Sequence, residues 1–226
     1  MAIGEVPILT AEFDLYRWLP DQARAAFSAV VQRRNYSAGR LIYLQADEGH
    51  EMFRLIEGEV RLSVMRGNGR ELIYLLFKPG DCFGPSSLID GGRRPHTTEA
   101  QTDVTVDTLS RENFQRLRQD HPEFNEALLR LFCAHMRVLS RYVADAALDE
   151  LPTRLAGRLL AAACMDASGV RTVRLRQAEL GRMIGASRQT INRLLQKFRD
   201  DGLVELSYST VEIIDEGGLK RVALAE

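Results

Sequence analysis

Gln177–Gly202 reads QAELGRMIGASRQTINRLLQKFRDDG, and its punctuation decides the fold of the last third of the chain. Leu180 and Ile184 lie four residues apart, on one face of a helix predicted over Gln177–Ile184. Gly185-Ala186 permits a tight turn, and Ser187 is a good N-cap because its hydroxyl can accept from an orphan backbone N–H. A second helix then places Ile191, Leu194, Leu195 and Phe198 on an apolar stripe. Its opposite side carries Arg188, Gln189, Asn192, Arg193, Gln196 and Lys197, and Asp200-Asp201-Gly202 ends it at a glycine suited to a left-handed cap. Any amphipathic surface helix has a polar side. Helix, glycine turn and capped polar helix in this order argue for a helix-turn-helix, whose second helix enters a major groove.

Around that unit the same reading extends. Leu155, Leu159 and Ala162 mark an amphipathic helix ahead of it. Strands predicted over Leu203–Leu206 and Thr210–Ile214, joined near Ser207-Tyr208-Ser209, form a wing of the kind that touches backbone rather than bases. Tyr208 is a candidate to stack or to bond a phosphate there, or is a plain loop residue. Between Arg154 and Arg199 ten basic residues face only Asp166 and Glu179, a local charge of +8 in a chain whose total is −1. A basic module on an acidic body suits phosphate binding, because the local field matters more than the sum. Arg188, Gln189 and Arg193 fall within about 140° on one side of a helix. Arginine can hold guanine O6 and N7 with two hydrogen bonds, and glutamine can do the same for adenine. Ser187, Arg188, Gln189, Thr190, Asn192 and Arg193 are the candidate DNA-contacting residues.

Upstream, a helix is expected from His121-Pro122 to about Glu150, where Pro152 marks a break. Within it Leu129, Phe132, Met136, Leu139, Val143 and Ala146 alternate spacings of three and four, the seam of a coiled coil. The same repeat would serve to pack the helix on its own domain; its regularity favours a self-pairing dimer helix. The front half, after a helical lead-in near Pro20–Val31, is rich in short strands and glycines. Val60–Arg66 and Arg70–Phe77 read as a hairpin around Gly67-Asn68-Gly69, and the whole as an antiparallel roll or barrel.

Other classes find little support. Cys82, Cys133 and Cys164 lie far apart with no CxxC, so they read as reduced, mostly buried thiols of a cytosolic protein rather than a zinc site or a disulfide scaffold. MAIGEVPILTAEFDLYRWL lacks the basic stretch and apolar run of a signal peptide, and no apolar run approaches membrane-spanning length. A cupin-like metal enzyme on the roll is the alternative of a different class, but it needs clustered histidines. His50, His96, His121 and His135 are at least 14 residues apart. No nucleophile elbow or phosphate loop appears. A ligand-binding module using its winged helix for protein contacts is a third reading, which the arginines disfavour.

From about Leu19 to Ile214 the chain resembles the Crp/Fnr superfamily, the cyclic-AMP receptor protein and fumarate–nitrate-reduction regulators. The resemblance rests on SAGRLIYLQADEGHEMFRLIEGEVRLSV and FKPGDCFG in front and GASRQTINRLLQKFRDDGLVEL behind. It implies an α+β chain: an N-terminal lead-in and cyclic-nucleotide-binding-like β-roll over 1–120, a dimerisation helix over 121–150 and a winged helix-turn-helix over 151–226. It also implies a cytoplasmic homodimer, with Phe132, Met136, Leu139 and Val143 in the dimer helix, on a pseudo-palindromic site of double-stranded DNA. RNA polymerase is the further expected partner; the chain is expected to act as an activator or a repressor. By match, Arg188 and Arg193 take the positions of base-contacting arginines. Gln189 stands where the cyclic-AMP receptor itself has a glutamate.

The sensor departs from the pattern in Phe83–Ala100, FGPSSLIDGGRRPHTTEA. Pro85 stands where the resemblance leads one to expect a glutamate for the ribose, and proline offers neither carboxylate nor N–H. Arg94 matches the phosphate-binding arginine if one residue is deleted, but Pro95 replaces the serine beside it. The remnant, Gly84, Ser86, Ser87, Arg94 and Thr97, is a candidate effector pocket for an effector other than cyclic AMP; a cyclic-AMP-responsive regulator is the alternative. No cysteine precedes Cys82, which disfavours an iron–sulfur sensor, and the isolated histidines disfavour haem. A thiol sensor through Cys82 or Cys133 stays open. No cofactor is certain, and the effector is unknown or absent.

Overall fold

The structure, a computed structural model, describes residues 13–165, 169–207 and 210–225. Tyr208 and Ser209 of the expected wing tip, and the opening residues before Phe13, lie outside them. The described residues divide into two compact units, one running to Leu139 and a second beginning at Ser140.

The first unit opens with a 3₁₀ turn, Leu15–Arg17, and helix α1 (Asp21–Val30). Strands β1 (Gln32–Tyr36), β2 (Leu41–Tyr43), β3 (Glu51–Glu57), β4 (Val60–Met65), β5 (Glu71–Phe77) and β6 (Cys82–Phe83) follow. Helix α2 (Ser86–Asp90), strands β7 (Thr97–Ala100) and β8 (Val104–Ser110), helix α3 (Arg111–Asp120) and most of α4 (Pro122–Leu148) complete it. Two antiparallel sheets, ordered β1-β8-β3-β6 and β2-β7-β4-β5, form the expected roll. Their inner faces meet through rings: Phe83 stacks 5.1 Å from both Phe53 and Phe77, and Tyr43 lies 5.9 Å from Phe53. The β4–β5 hairpin closes as the Gly-Asn-Gly signal predicts, with the Asn68 side chain accepting from Arg70 N–H and Gly69 at φ 77°.

Helix α4 carries two apolar stripes. Phe124, Ala127, Leu128, Leu131 and Val138 are buried. Leu129, Met136, Leu139 and Val143 of the coiled-coil seam are exposed, as is Ala146, and Phe132 is half-buried. One helix thus has an inward face already occupied and a second apolar face left uncovered in the protomer.

The second unit contains α5 (Leu151–Ala162), β9 (Cys164–Met165), β10 (Arg171–Val173), α6 (Gln177–Ile184), α7 (Arg188–Asp200), β11 (Val204–Leu206), β12 (Val211–Ile213) and α8 (Glu216–Leu224). Its sheet runs β11-β12-β10-β9, so two short strands ahead of the helix-turn-helix join the wing strands. Helix α8 was not foreseen. Asp215 caps it by accepting from Gly218 N–H, Glu216 pairs with Arg171 at 2.7 Å, and buried Leu219 anchors it beside α5.

The thiols need a correction. All three cysteines are free, but only Cys82 is buried; Cys133 sits on the solvent side of α4, and Cys164 on the edge strand β9. No helix among the described residues is long and apolar enough to cross a membrane.

Candidate nucleic-acid interface and effector pocket

The helix-turn-helix is built by backbone economy at two glycines. Gly185 takes φ 70° to end α6. Gly181 lets the chain fold back: Ala186 N–H donates to the Gly181 carbonyl at 2.9 Å, and a Cβ on Gly181 would lie 2.6 Å from the Ala186 carbonyl oxygen. Ser187 then caps α7, its Oγ accepting from Thr190 N–H at 3.1 Å and pairing with Thr190 Oγ1 at 2.9 Å. Ile191, Leu195 and Phe198 are buried and Leu194 half-buried, which fixes the rotation of the helix about its axis. That rotation leaves Ser187, Arg188, Gln189, Asn192 and Arg193 exposed on one side, with Thr190 half-buried at their edge. Asn192 Oδ1 accepts from Gln196 at 3.4 Å, so the amide of Asn192 presents its NH₂ outward. The face offers two guanidinium groups together with amide and hydroxyl groups, chemistry suited to phosphate oxygens and to base edges.

In the roll, the structure brings Gly84, Ser87 and Arg94 together. Ser87 and Arg94 both crowd Gly49, and Gly84, at φ 81°, approaches so closely that a Cβ would lie 2.7 Å from Arg94 Nη1. The buried Arg94 guanidinium donates to the Gly84 carbonyl through Nη1 and to the Glu51 carbonyl through Nη2, each at 2.6 Å, and stacks 4.2 Å from the Tyr43 ring centre. Burial lowers its pKa. Ser86 opens α2 half-buried. Thr97 does not join the cluster: strand alternation turns it away, and its hydroxyl accepts from Gln45 N–H. Its neighbour Thr98 is the residue that points inward, fully buried; period-two alternation with buried Ala100 was the signal for it.

Sequence reasoning also missed what His96 does. Tyr43 Oη lies 2.8 Å from its Nε2 and Tyr74 Oη 2.9 Å from its Nδ1, so both ring nitrogens are taken. Burial pushes the His96 pKa down to about 3 and that of Tyr74 up to about 12. The imidazole is therefore neutral, accepting from one tyrosine and donating to the other. His135 lies 4.1 Å from the Phe13 ring, its pKa lowered by burial to about 4. Cys82 is buried, and burial raises its pKa to about 12, which keeps it a thiol.

Two family descriptions match the chain: a cyclic nucleotide-binding domain over residues 33–121 and a Crp-like helix-turn-helix domain over residues 153–222. It is 27% identical over 220 residues to a CRP-like cAMP-activated global transcriptional regulator of Mycobacterium tuberculosis, covering 95% of this chain and 98% of that one. It is 29% identical over 204 residues to the cyclic AMP receptor protein of Thermus thermophilus, covering 90% and 93%. In fold it matches the c-di-GMP-responsive global regulator CLP of Xanthomonas campestris, with a TM-score of 0.79 at 23% identity, over 87% of this chain and 100% of that one.

Proposed function

The chain belongs to the Crp/Fnr superfamily of transcription regulators and carries its helix-turn-helix DNA-binding domain, and from that premise we propose that it acts in the cytoplasm as a homodimer on a pseudo-palindromic site. On that reading α7 of each protomer enters a major groove, half-sites lie about one helical turn apart, and RNA polymerase is the partner through which it activates. The observation that carries the reading is the exposed Arg188–Gln189–Asn192–Arg193 face on a helix whose other side is locked into its own unit. Arg188→Ala is expected to cost roughly 1–3 kcal/mol on the specific site, with little change on random DNA. Anisotropy titrations on both DNAs check this; equal loss on the two would reduce Arg188 to a phosphate contact.

Gln189 is proposed to read adenine, where a glutamate would accept from cytosine N4. Gln189→Glu is therefore expected to change the preferred base pair at one symmetric position of the selected site. Binding-site selection from a random library measures it, and an unchanged consensus would remove Gln189 from the readout.

The effector is proposed to be something other than cyclic AMP, although one relative named above is described as cAMP-activated and another as a cyclic AMP receptor protein. Support comes from Pro85 and Pro95 at positions where the resemblance leads one to expect ligand groups, and from Arg94, whose two terminal nitrogens already serve backbone carbonyls. Calorimetry with cyclic AMP is expected to show no saturable binding. A micromolar isotherm abolished by Arg94→Leu would overturn this and make the chain a cyclic-AMP-responsive regulator. The cupin-like alternative gains nothing from His96, whose two ring nitrogens are both held by tyrosines.

A further inference from the structure

A polar cavity lies wholly within the unit that bears the helix-turn-helix. It measures about 70 Å³ and is partly open to solvent, room for roughly five waters. It is lined by Tyr142 and Asp145 near the end of α4 and Asp149 just beyond it, by Arg154, Gly157 and Arg158 of α5, and by Met183 and Ile184 of α6.

Three observations single it out. First, its cations are under-served. Neither Arg154 nor Arg158 is ion-paired among the described residues, and Arg154 Nε is buried with no hydrogen-bond partner. Arg158 stacks 5.1 Å from the Tyr142 ring, and burial lowers its pKa. A buried guanidinium nitrogen without an acceptor, as at Arg154 Nε, is costly unless something supplies one. Arg158 has the opposite charge of Asp145 acting on it, but no ion pair among the described residues. Second, those cations are held in place. The two arginines are one helical turn apart on α5 and so share a face. Tyr142, which Arg158 stacks on, is itself tied down by donating from Oη to the Met183 carbonyl at 3.2 Å. Third, the floor is left empty. Gly157 sits inside α5, where glycine costs about 1 kcal/mol relative to alanine. No positive φ explains it, and a Cβ there would meet nothing within 4 Å.

We propose that this cavity binds the oxyanion group of a small molecule, a phosphate or a carboxylate, between the guanidinium groups of Arg154 and Arg158. Guanidinium forks match both oxyanions bidentately. Asp145, whose charge already acts on Arg158, and Asp149 can accept from hydroxyl or amine groups, so a ligand would place its oxyanion toward α5 and its donors toward the carboxylates. A ligand so placed lies directly behind α6 and the turn that leads into α7.

The test is thermal unfolding of the full chain at constant ionic strength, titrating inorganic phosphate in one arm and acetate in the other against chloride. A saturating rise in melting temperature with at least one probe is expected. The apparent affinity should fall at least tenfold in Arg158→Met. It should vanish in Gly157→Leu, which fills the floor yet replaces glycine with a good helix former, so that this variant melts no lower than the parent without ligand. The response should persist in the Arg188→Ala/Arg193→Ala double variant. No saturation with either probe, or an undiminished response in Arg158→Met, overturns the proposal. A response lost only in the Arg188/Arg193 variant overturns it too, by placing the anion on α7. Because the readout is anion binding, its outcome is independent of whether α7 reads DNA.

Discussion

Leu139→Glu is expected to turn the proposed dimer into a monomer, raising its dissociation constant by at least about a thousandfold, or ~4 kcal/mol. Leu139 is 53% exposed in the protomer, and Leu129, Met136 and Val143 are 62%, 69% and 57% exposed on the same seam. Burying such a side chain contributes about 1.5–3 kcal/mol, and a two-fold interface counts every seam position twice. The glutamate removes that contribution from both protomers and sets two carboxylates where the helices must meet. The inward stripe of α4, with Leu131 and Val138, is untouched, and glutamate is a good helix former, so the protomer should keep its far-ultraviolet circular dichroism. Sedimentation velocity reads the mass directly. An unchanged dimer mass would reject the seam and assign the exposed stripe to something else. Loss of the dimer should also weaken binding to a palindrome far more than to an isolated half-site, since only the palindrome uses two linked α7 helices.

Acidification is expected to destabilise the first unit by about 4 kcal/mol between pH 7.5 and pH 5. His96 and His135 have pKa values lowered by burial to about 3 and about 4, whereas an unfolded histidine titrates near 6.5. Below about pH 6.5 the unfolded chain therefore takes up protons that the folded chain refuses. Their contribution is complete above that pH and is lost progressively as pH falls toward 4. At pH 5 each histidine has given up about 2 kcal/mol. His135→Phe should remove about half of the dependence, because a phenyl ring suits the contacts His135 makes with Phe13, Phe77 and Phe132. Urea midpoints at the two pH values measure it. Equal midpoints in the parent protein, or an undiminished shift in His135→Phe, would show that these imidazoles protonate freely in the folded state.

These two expectations differ in how visible they were in the amino-acid order. The α4 seam was legible because a repeat of three and four is a property of the chain itself. That one helix bears a second apolar stripe, already used against its own roll, was not legible; periodicity counts apolar positions without saying which neighbour covers them. The histidines looked isolated because sequence distance is all that a list of positions records. The fold brings Tyr43 to His96 across 53 residues and Tyr74 across 22.

The amino-acid order by itself determined the order of elements and the local geometry of the helix-turn-helix. The glycine turn, the Ser187 cap, the polar flank of α7 and the Gly-Asn-Gly hairpin all depend on torsion preferences and hydrogen bonds among residues a few positions apart. Only the tertiary structure decided where Arg94 spends its hydrogen bonds, that Thr98 rather than Thr97 faces inward, that Cys133 and Cys164 are exposed, and that α8 packs beside α5. It also decided that Arg154, Gly157 and Arg158 line one cavity, with open space above Gly157. Each of these depends on which distant backbone or side chain arrives as a neighbour, and burial and partnering are properties of that arrival rather than of any residue's own chemistry.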